Sequence, residues 1–189
     1  MKNNKALLPV LTLLFFVSAA LTSPASKWIS EKTHVHFFSH TSIEDIEANN
    51  YKALSTLDPA TGEVVFSVPM QSFDFEKSLM QKHFNSKKFL NTKDYPKAKF
   101  KGKITNLASV NFAKDGTYEA MVEGDMTIKD ITKKVSEKGS VTVKGEAISV
   151  KSKFPLTLAD YGITFSDGKP STNIAKTIEI TIEADYKSE

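Results

Sequence analysis

The sequence predicts an all-β protein, an eight-stranded antiparallel β-barrel with one or two short helices, at about residues 74–92, covering one end. Apolar and polar residues alternate over most of the chain after Trp28, which is the pattern of strands with one buried and one solvated face. Turn sequences, such as residues 58–62 and 114–116, separate the alternating segments, so neighbouring strands have short connections and run antiparallel. A barrel also leaves no strand edge open to aggregation.

Eight segments show this alternation. The clearest is the last, in which Ile178, Ile180 and Ile182 share one face while Glu179 and Glu183 lie on the other. The eight predicted strands are residues 33–39, 43–54, 63–70, 97–104, 117–128, 132–143, 148–156 and 177–186.

Residues 74–92 depart from the period of two. Phe75, Leu79 and His83, with Phe84 beside them, recur at helical spacing, which predicts a short amphipathic helix. A polar pair then interrupts the pattern before a second short turn. Such a stripe usually packs on a core, and over the end of a barrel it would also contact a bound ligand.

The inward faces of the predicted strands combine small and large residues. Gly102, Gly124, Ala98 and Ala120 lie beside large apolar side chains. An eight-stranded barrel is either filled by its side chains or holds one small ligand, and the small inward residues favour a cavity. Glycine in a strand also marks bends and bulges, so a filled barrel stays open as the alternative.

Composition excludes several classes of function. The chain has 189 residues, a net charge of +3, no Arg and no Cys. Without clustered basic residues we expect no nucleic-acid partner, and without Cys there is no disulfide, thiolate metal site or cysteine nucleophile. Gly-x-Ser-x-Gly, His-Glu-x-x-His and phosphate-loop motifs are absent. We therefore predict a protein that is not an enzyme, with no catalytic residue and no cofactor.

The N-terminus has the three parts of a secretory signal. Lys2 and Lys5 precede an apolar stretch, residues 6–22, and small residues follow at 23–25. We expect residues 1–25 to be cleaved, leaving residues 26–189 as a single exported domain.

Several landmarks follow one another in order along this domain. Trp28 and His34 lie at the first strand, residues 89–100 read FLNTKDYPKAKF, residues 124–133 read GDMTIKDITK, and residues 160–163 read DYGI. In this order they resemble the YceI-like family of lipid-binding, lipocalin-like proteins, over nearly the whole predicted mature chain. The resemblance implies an extended barrel that holds a polyisoprenoid or similar long-chain lipid in the periplasm of a Gram-negative bacterium. It also implies a link to envelope stress or to isoprenoid metabolism or transport.

We predict that inward apolar side chains enclose the chain of an isoprenoid, quinone or fatty-acid-like lipid. Burial of apolar surface would supply the affinity, at roughly 25 cal/mol per Å². The predicted ligand-binding residues are Phe37, Phe66, Val68, Phe75, Leu79, Phe84, Phe100, Ile104, Val122, Met126, Phe154 and Ile180.

The sequence leaves two other functions open. A filled barrel would act through its outer surface or its helices as an interaction protein. A metal-binding stress protein would use His34, His36 and His40, which share one face of the first strand. Two His at i and i+2 can share a zinc ion, but no carboxylate lies at an obvious spacing, and we predict no metal site.

A basic stripe lies on the fourth predicted strand. Lys97, Lys99, Lys101 and Lys103 share one face, where they would keep the barrel soluble or make peripheral contact with anionic membrane lipids. The sequence leaves a monomer and a homodimer equally open.

Overall fold

A computed structural model describes residues 27–164 and 173–187. The predicted signal peptide lies outside the described residues. The described chain forms one curled antiparallel sheet and one α-helix, α1 (Ser78–Asn85). The strands are β1 (Trp28–Ile29), β2 (Lys32–His40), β3 (Asp45–Asn50), β4 (Leu54–Leu57), β5 (Glu63–Pro69), β6 (Lys97–Ile104), β7 (Gly116–Ile128), β8 (Ile131–Lys144), β9 (Ala147–Thr157) and β10 (Thr177–Lys187).

The pairing of the strands closes the sheet into a barrel. Strands β4 to β10 follow one another as an antiparallel meander, β1 pairs with β4, and β2 pairs with both β10 and β3. Trp28 lies opposite Leu57 and Val35 lies opposite Asn50, which is one continuous register. The two segments β1 and β2 therefore form one long strand that is interrupted once. β3 and β4 form a second such strand, and the two long strands make one hairpin. The predicted barrel is confirmed, with ten strands instead of eight because β1 is additional and the predicted strand 43–54 divides.

Buried polar groups accompany both interruptions. The backbone N–H of Ser30 donates to the carbonyl of Ser55 (2.9 Å), whereas that of Glu31 donates to the carbonyl of Asp185 (2.8 Å), so the chain changes partner between the two. On the neighbouring strand the Asn50 side chain is fully buried and donates to the last carbonyl of β5 (2.8 Å). These hydrogen bonds satisfy groups that would otherwise be costly to bury.

The interior of the barrel divides into two apolar clusters, one at each end. The first cluster lies at the end of the barrel that carries the turns after β6 and β8, and its side chains come mainly from β4, β7, β8, β9 and β10. We call this end the filled end. Its buried members are Trp28, Leu57, Val64, Phe66, Ile104, Val110, Ala120, Val141, Val143, Ile148, Ala184 and Tyr186. Burial raises the pKa of Tyr186 to about 12, and its hydroxyl shares a hydrogen bond with Ser55. The second cluster lies at the opposite end, beneath α1.

The helix α1 crosses the second end of the barrel, as predicted. Phe84 is its fully buried residue. The helix ends at Ser86, whose hydroxyl donates to the carbonyl of His83 (2.7 Å), and Thr92 Oγ1 donates to the Asn85 side chain (2.7 Å). The turn after the helix therefore folds back against it, and no second helix forms there.

Candidate functional site

A deep cavity of about 720 Å³ occupies the end of the barrel beneath α1. This volume lies within the range of ligand pockets in proteins, about 300–1,000 Å³. Strands supply its walls, and residues 70–90 supply its roof. The apolar lining residues from the strands are Val35, Phe37, Ile46, Phe66, Val68, Ala98, Phe100, Met126, Ile128, Phe154, Leu156, Ile178, Ile180 and Ile182. Those from the roof are Met70, Phe73, Phe75, Leu79, Met80, Phe84, Phe89 and Leu90.

Ten of the twelve predicted ligand-binding residues line this cavity. The two exceptions, Ile104 and Val122, are opposite each other on β6 and β7 and belong with the filled end. Both face inward, as their parity requires. Parity gives the face of a strand but not the depth along the barrel, which is why the sequence did not separate them from the other ten. Ile178 and Ile182 of β10, which share the parity of Ile180, also line the cavity and were not among the twelve predicted residues.

Phe84 fixes α1 over the cavity. Its ring stacks on Phe37 of β2, with centroids 5.8 Å apart, and meets Phe75 at 5.0 Å and Phe73 at 5.4 Å. Aromatic pairs of this kind contribute about 0.5–1.5 kcal/mol beyond their burial. The roof is therefore attached to the wall by aromatic packing, while Leu79, at the edge of the same helix, remains 61% exposed.

Phe100 closes the bottom of the cavity. A Cβ built on Gly102 would lie 2.5 Å from its ring and 2.4 Å from the carbonyl oxygen of Glu123. A Cβ on Gly124 would lie 2.8 Å from the same ring. The expectation that these two glycines leave space for a ligand is wrong, because the Phe100 ring and the close approach of β6 and β7 use that space.

Three residues separate the cavity from the filled end. Phe66, Phe100 and Ile182 line the cavity, and the same three side chains pack against the filled cluster. We call them the floor. Ala98 lines the cavity above the floor, whereas Ala120 lies below it in the filled end.

Polar groups concentrate at the mouth. Glu44, in the turn between β2 and β3, accepts a hydrogen bond from Lys77 Nζ (3.0 Å) and one from Asn173 Nδ2 (3.3 Å). These three segments are thereby joined across the rim, and the two donors hold the pKa of the Glu44 carboxyl below its ordinary value, Lys77 contributing most. His83, Ser86 and Lys88 lie on another part of the rim. The deeper lining is almost wholly apolar.

The histidines of β2 lie on the outer wall, and each has its own partner. His34 Nε2 is 2.8 Å from Asn49 Oδ1, and His40 Nδ1 is 2.6 Å from Asp45 Oδ1. His36 lies 3.2 Å from a carboxylate oxygen of Glu47. Within residues 27–164 and 173–187, no group of three His, Asp or Glu is arranged to hold a metal ion.

The basic stripe of β6 also lies on the outer wall. Lys97, Lys99, Lys101 and Lys103 are exposed, and Lys101 Nζ lies 3.7 Å from Glu63. Among the described residues, no helix combines the length and the apolar character needed to cross a bilayer.

The described residues form a β-barrel with an apolar pocket beneath a helical roof, and this geometry defines the class of protein. The family model of the YceI-like domain matches residues 28–186, and the chain belongs to this family.

Relatives and solved structures agree with that assignment. A UPF0312 protein of Shewanella denitrificans is 27% identical over 119 residues, which are 60% of this chain and 59% of the relative. One from Photorhabdus laumondii is 33% identical over 78 residues, 41% of this chain and 36% of the relative. The matches thus span less than two thirds of either relative.

The similar solved structures show the fold. A polyisoprenoid binding domain from Saccharophagus degradans has a TM-score of 0.72 at 11% identity, covering 88% of this chain and 100% of the domain. BcnA of Burkholderia cenocepacia has a TM-score of 0.67 at 19% identity, covering 81% of this chain and 95% of its own. The Campylobacter jejuni YCEI protein has a TM-score of 0.56 at 14% identity, covering 98% and 94%.

Proposed function

We propose that this protein binds the chain of an isoprenoid, a quinone or a fatty-acid-like lipid in the cavity beneath α1. The cavity itself carries the proposal, because about 720 Å³ of space lined mainly by apolar side chains lies inside the barrel. Contact between this apolar lining and water is unfavourable, and a bound hydrocarbon chain would cover the lining and displace the water. A solvated or charged ligand would leave its own polar groups without partners in the deeper part.

The shape of the cavity sets which chains fit. Its lower limit is the floor of Phe66, Phe100 and Ile182, and its opening is at the rim around Leu79. Selection would then rest on the length and width of the hydrocarbon, since the few polar groups lie at the mouth. A polar head group would remain at the rim, where Glu44, Lys77 and His83 lie.

We propose that no reaction is catalysed on the bound molecule. Catalysis by a nucleophile needs a base within hydrogen-bonding distance and a group that orients the base. At the rim, the Ser86 hydroxyl donates to the backbone carbonyl of His83 and not to its ring. The hydroxyl oxygen of Ser39, inside the cavity, accepts a hydrogen bond from the backbone N–H of Ala175 (2.9 Å). Neither hydroxyl is arranged for activation.

Export to the periplasm is also a proposal. It rests on Lys2 and Lys5, the apolar residues 6–22 and the small residues 23–25. Cell fractionation and N-terminal sequencing of the purified protein test it. A mature N-terminus near Ser26 is the expected result, and a protein retaining Met1 would contradict it.

The ligand proposal is tested by native mass spectrometry of the protein purified from its own host, followed by organic extraction. We expect a stoichiometric added mass that leaves with the solvent. The stripped protein is then titrated with fatty acids and isoprenoid alcohols of increasing length, displacing a fluorescent fatty acid. Saturable binding that strengthens with chain length up to a plateau supports the proposal. A protein that neither carries nor takes up any of these chains contradicts it.

A further inference from the structure

The segment that roofs the cavity carries a concentrated positive charge. Residues 77–93, which we call the lid segment, contain five lysines and no Asp or Glu. The rest of residues 26–189 contains 18 lysines against 22 acids. The protein is therefore nearly neutral as a whole but basic along its lid segment, which Glu76 and Asp94 flank.

Most of this charge is not neutralised within the protein. Lys77 is paired with Glu44, but Lys82, Lys87, Lys88 and Lys93 are exposed and form no ion pair with any described residue. Lysines on the outer wall are neutralised only in part: Lys134 and Lys151, for example, pair with Asp125 and Glu183, and what sets the lid segment apart is that no acid lies between its lysines. The four lid lysines keep their full charge toward solvent.

Exposed aliphatic side chains surround the same mouth. Leu79 on α1 and Ile43 in the turn between β2 and β3 are each 61% exposed. Ile131, at the turn between β7 and β8, is 37% exposed. All three belong to the end of the barrel at which the cavity opens. Glu44, which follows Ile43, and Lys77, two residues before Leu79, are joined by an ion pair.

We propose that this end of the barrel docks on an anionic lipid bilayer, with the mouth of the cavity against the membrane. Each lysine near an anionic surface raises the affinity of the protein for that surface by about five-fold. Leu79 and Ile43 would enter the boundary between head groups and acyl chains, as the apolar side chains of interfacial helices do. A hydrocarbon chain would then pass between bilayer and cavity without crossing water.

The residue types favour a membrane over a protein or nucleic acid. The chain uses Lys throughout and has no Arg. Arg provides the planar, bidentate geometry that recognises a fixed carboxylate or phosphate, whereas Lys is a point charge on a flexible stem. Flexible point charges around separate aliphatic side chains suit a surface of mobile head groups.

The test uses residues 26–189, which contain the complete barrel, because the apolar residues 6–22 would themselves associate with lipid. Sedimentation is measured with vesicles of phosphatidylcholine alone and of phosphatidylcholine mixed equally with phosphatidylglycerol. The protein is first stripped by organic extraction, so docking is measured independently of any cavity ligand. We expect binding to the mixed vesicles only, weakening with salt as the Debye length falls from about 10 Å at 0.1 M to about 3 Å at 1 M.

Two sets of variants locate the surface. K82E/K87E/K88E should weaken binding by at least about a hundred-fold, and L79S/I43S by roughly ten-fold without changing the salt dependence. The matched control, K114E/K138E/K144E, makes the same change of charge in exposed lysines toward the filled end and should bind as the parent does.

Three results would overturn the proposal. The first is no binding to phosphatidylglycerol vesicles, and the second is an equal loss in the lid and control triple variants, which would indicate net charge alone. The third is equal binding by the parent and by L79S/I43S, which would show that Leu79 and Ile43 do not insert into the bilayer. Far-ultraviolet circular dichroism of every variant verifies that the barrel is folded, and failure of the lipid-uptake titration would not affect any of these outcomes.

Discussion

The two ends of this barrel are built from the same alternating strands, yet one is solid and the other is hollow. At the filled end, inward residues of β7 to β10 form one buried apolar cluster with Trp28, Leu57 and Val110. At the open end the strands carry residues of similar size, but α1 crosses above them instead of descending into the barrel. The hollow lies beneath this roof, which Phe84 attaches to the wall through Phe37, and its lining side chains are not smaller than those of the filled end.

The difference predicts that stability resides at one end and binding at the other. Side chains in a packed core contact atoms on every side, whereas those lining a void lack partners on one side. Substitutions at the filled end should therefore change mainly the free energy of unfolding, and substitutions around the cavity should change mainly ligand binding.

The largest expected effect is on the free energy of unfolding. Ile148 is completely buried at the filled end, and Ile148→Ala should cost about 2–5 kcal/mol. Ile180→Ala, a matched truncation in the half-buried cavity wall, should cost less than half as much, because that side chain already faces a void. Urea unfolding of both variants measures this. Equal costs would mean that the two ends are equally packed.

Alkali should act on the filled end. The pKa of Tyr186 is raised to about 12 in the folded protein by burial, whereas an unfolded tyrosine titrates near 10. The folded state thus holds its proton more tightly, and the stability this provides is complete below pH 10 and is lost as pH rises from about 10 to about 12. The full loss would be about 3 kcal/mol.

Tyr186→Phe is the control for this loss. The variant gives up the hydrogen bond to Ser55, at roughly 1 kcal/mol, but its stability should decline less steeply above pH 10. Denaturant unfolding at several pH values compares the two proteins. Parallel curves would show that Tyr186 is not the group responsible.

The floor should determine the longest chain that fits. Affinity should rise roughly four-fold per methylene until the chain reaches Phe100, and then level off. Phe100→Ala opens space above Gly102 and Gly124, so the affinity should level off at chains two or three methylenes longer. The longer chains should then bind roughly ten-fold or more tightly to the variant than to the parent. Displacement titrations with a fatty-acid series measure both proteins.

A matched substitution keeps this result interpretable. Phe112→Ala removes a ring that packs against Trp28 at the filled end and should leave the plateau where it is. If both variants lengthen the accepted chain, the floor does not separate the two ends.

Much of this division was beyond what the sequence could predict. Period-two patterning identified the barrel and placed Phe37, Val68 and Ile180 on its inner face, because side-chain direction in a strand is a local property. Depth along the barrel depends on register and on where the roof sits, which are long-range properties. Ile104 and Val122 therefore could not be distinguished from Met126, nor could Gly102 be recognised as space already filled by Phe100.

The smallest effect concerns the attachment of the roof. Glu44 joins the turn after β2 to Lys77 and Asn173, and its pKa is lowered in the fold, chiefly by Lys77. A carboxyl with a lowered pKa contributes stability that is present above its unfolded pKa, about 4.3, and is lost as pH falls through the folded value. Below that range the rim should loosen, while β8, whose inward Val141 and Val143 lie in the apolar cluster of the filled end, stays packed. Hydrogen exchange followed by mass spectrometry should show faster exchange of peptides from α1 at acid pH than extrapolation of the intrinsic rate predicts, with no change for β8.

Glu44→Gln should exchange faster in α1 already at neutral pH and show less additional loosening in acid. If acid loosens α1 equally in the parent and in Glu44→Gln, the ion pair does not hold the roof, and the aromatic contacts of Phe84 are what keep it in place.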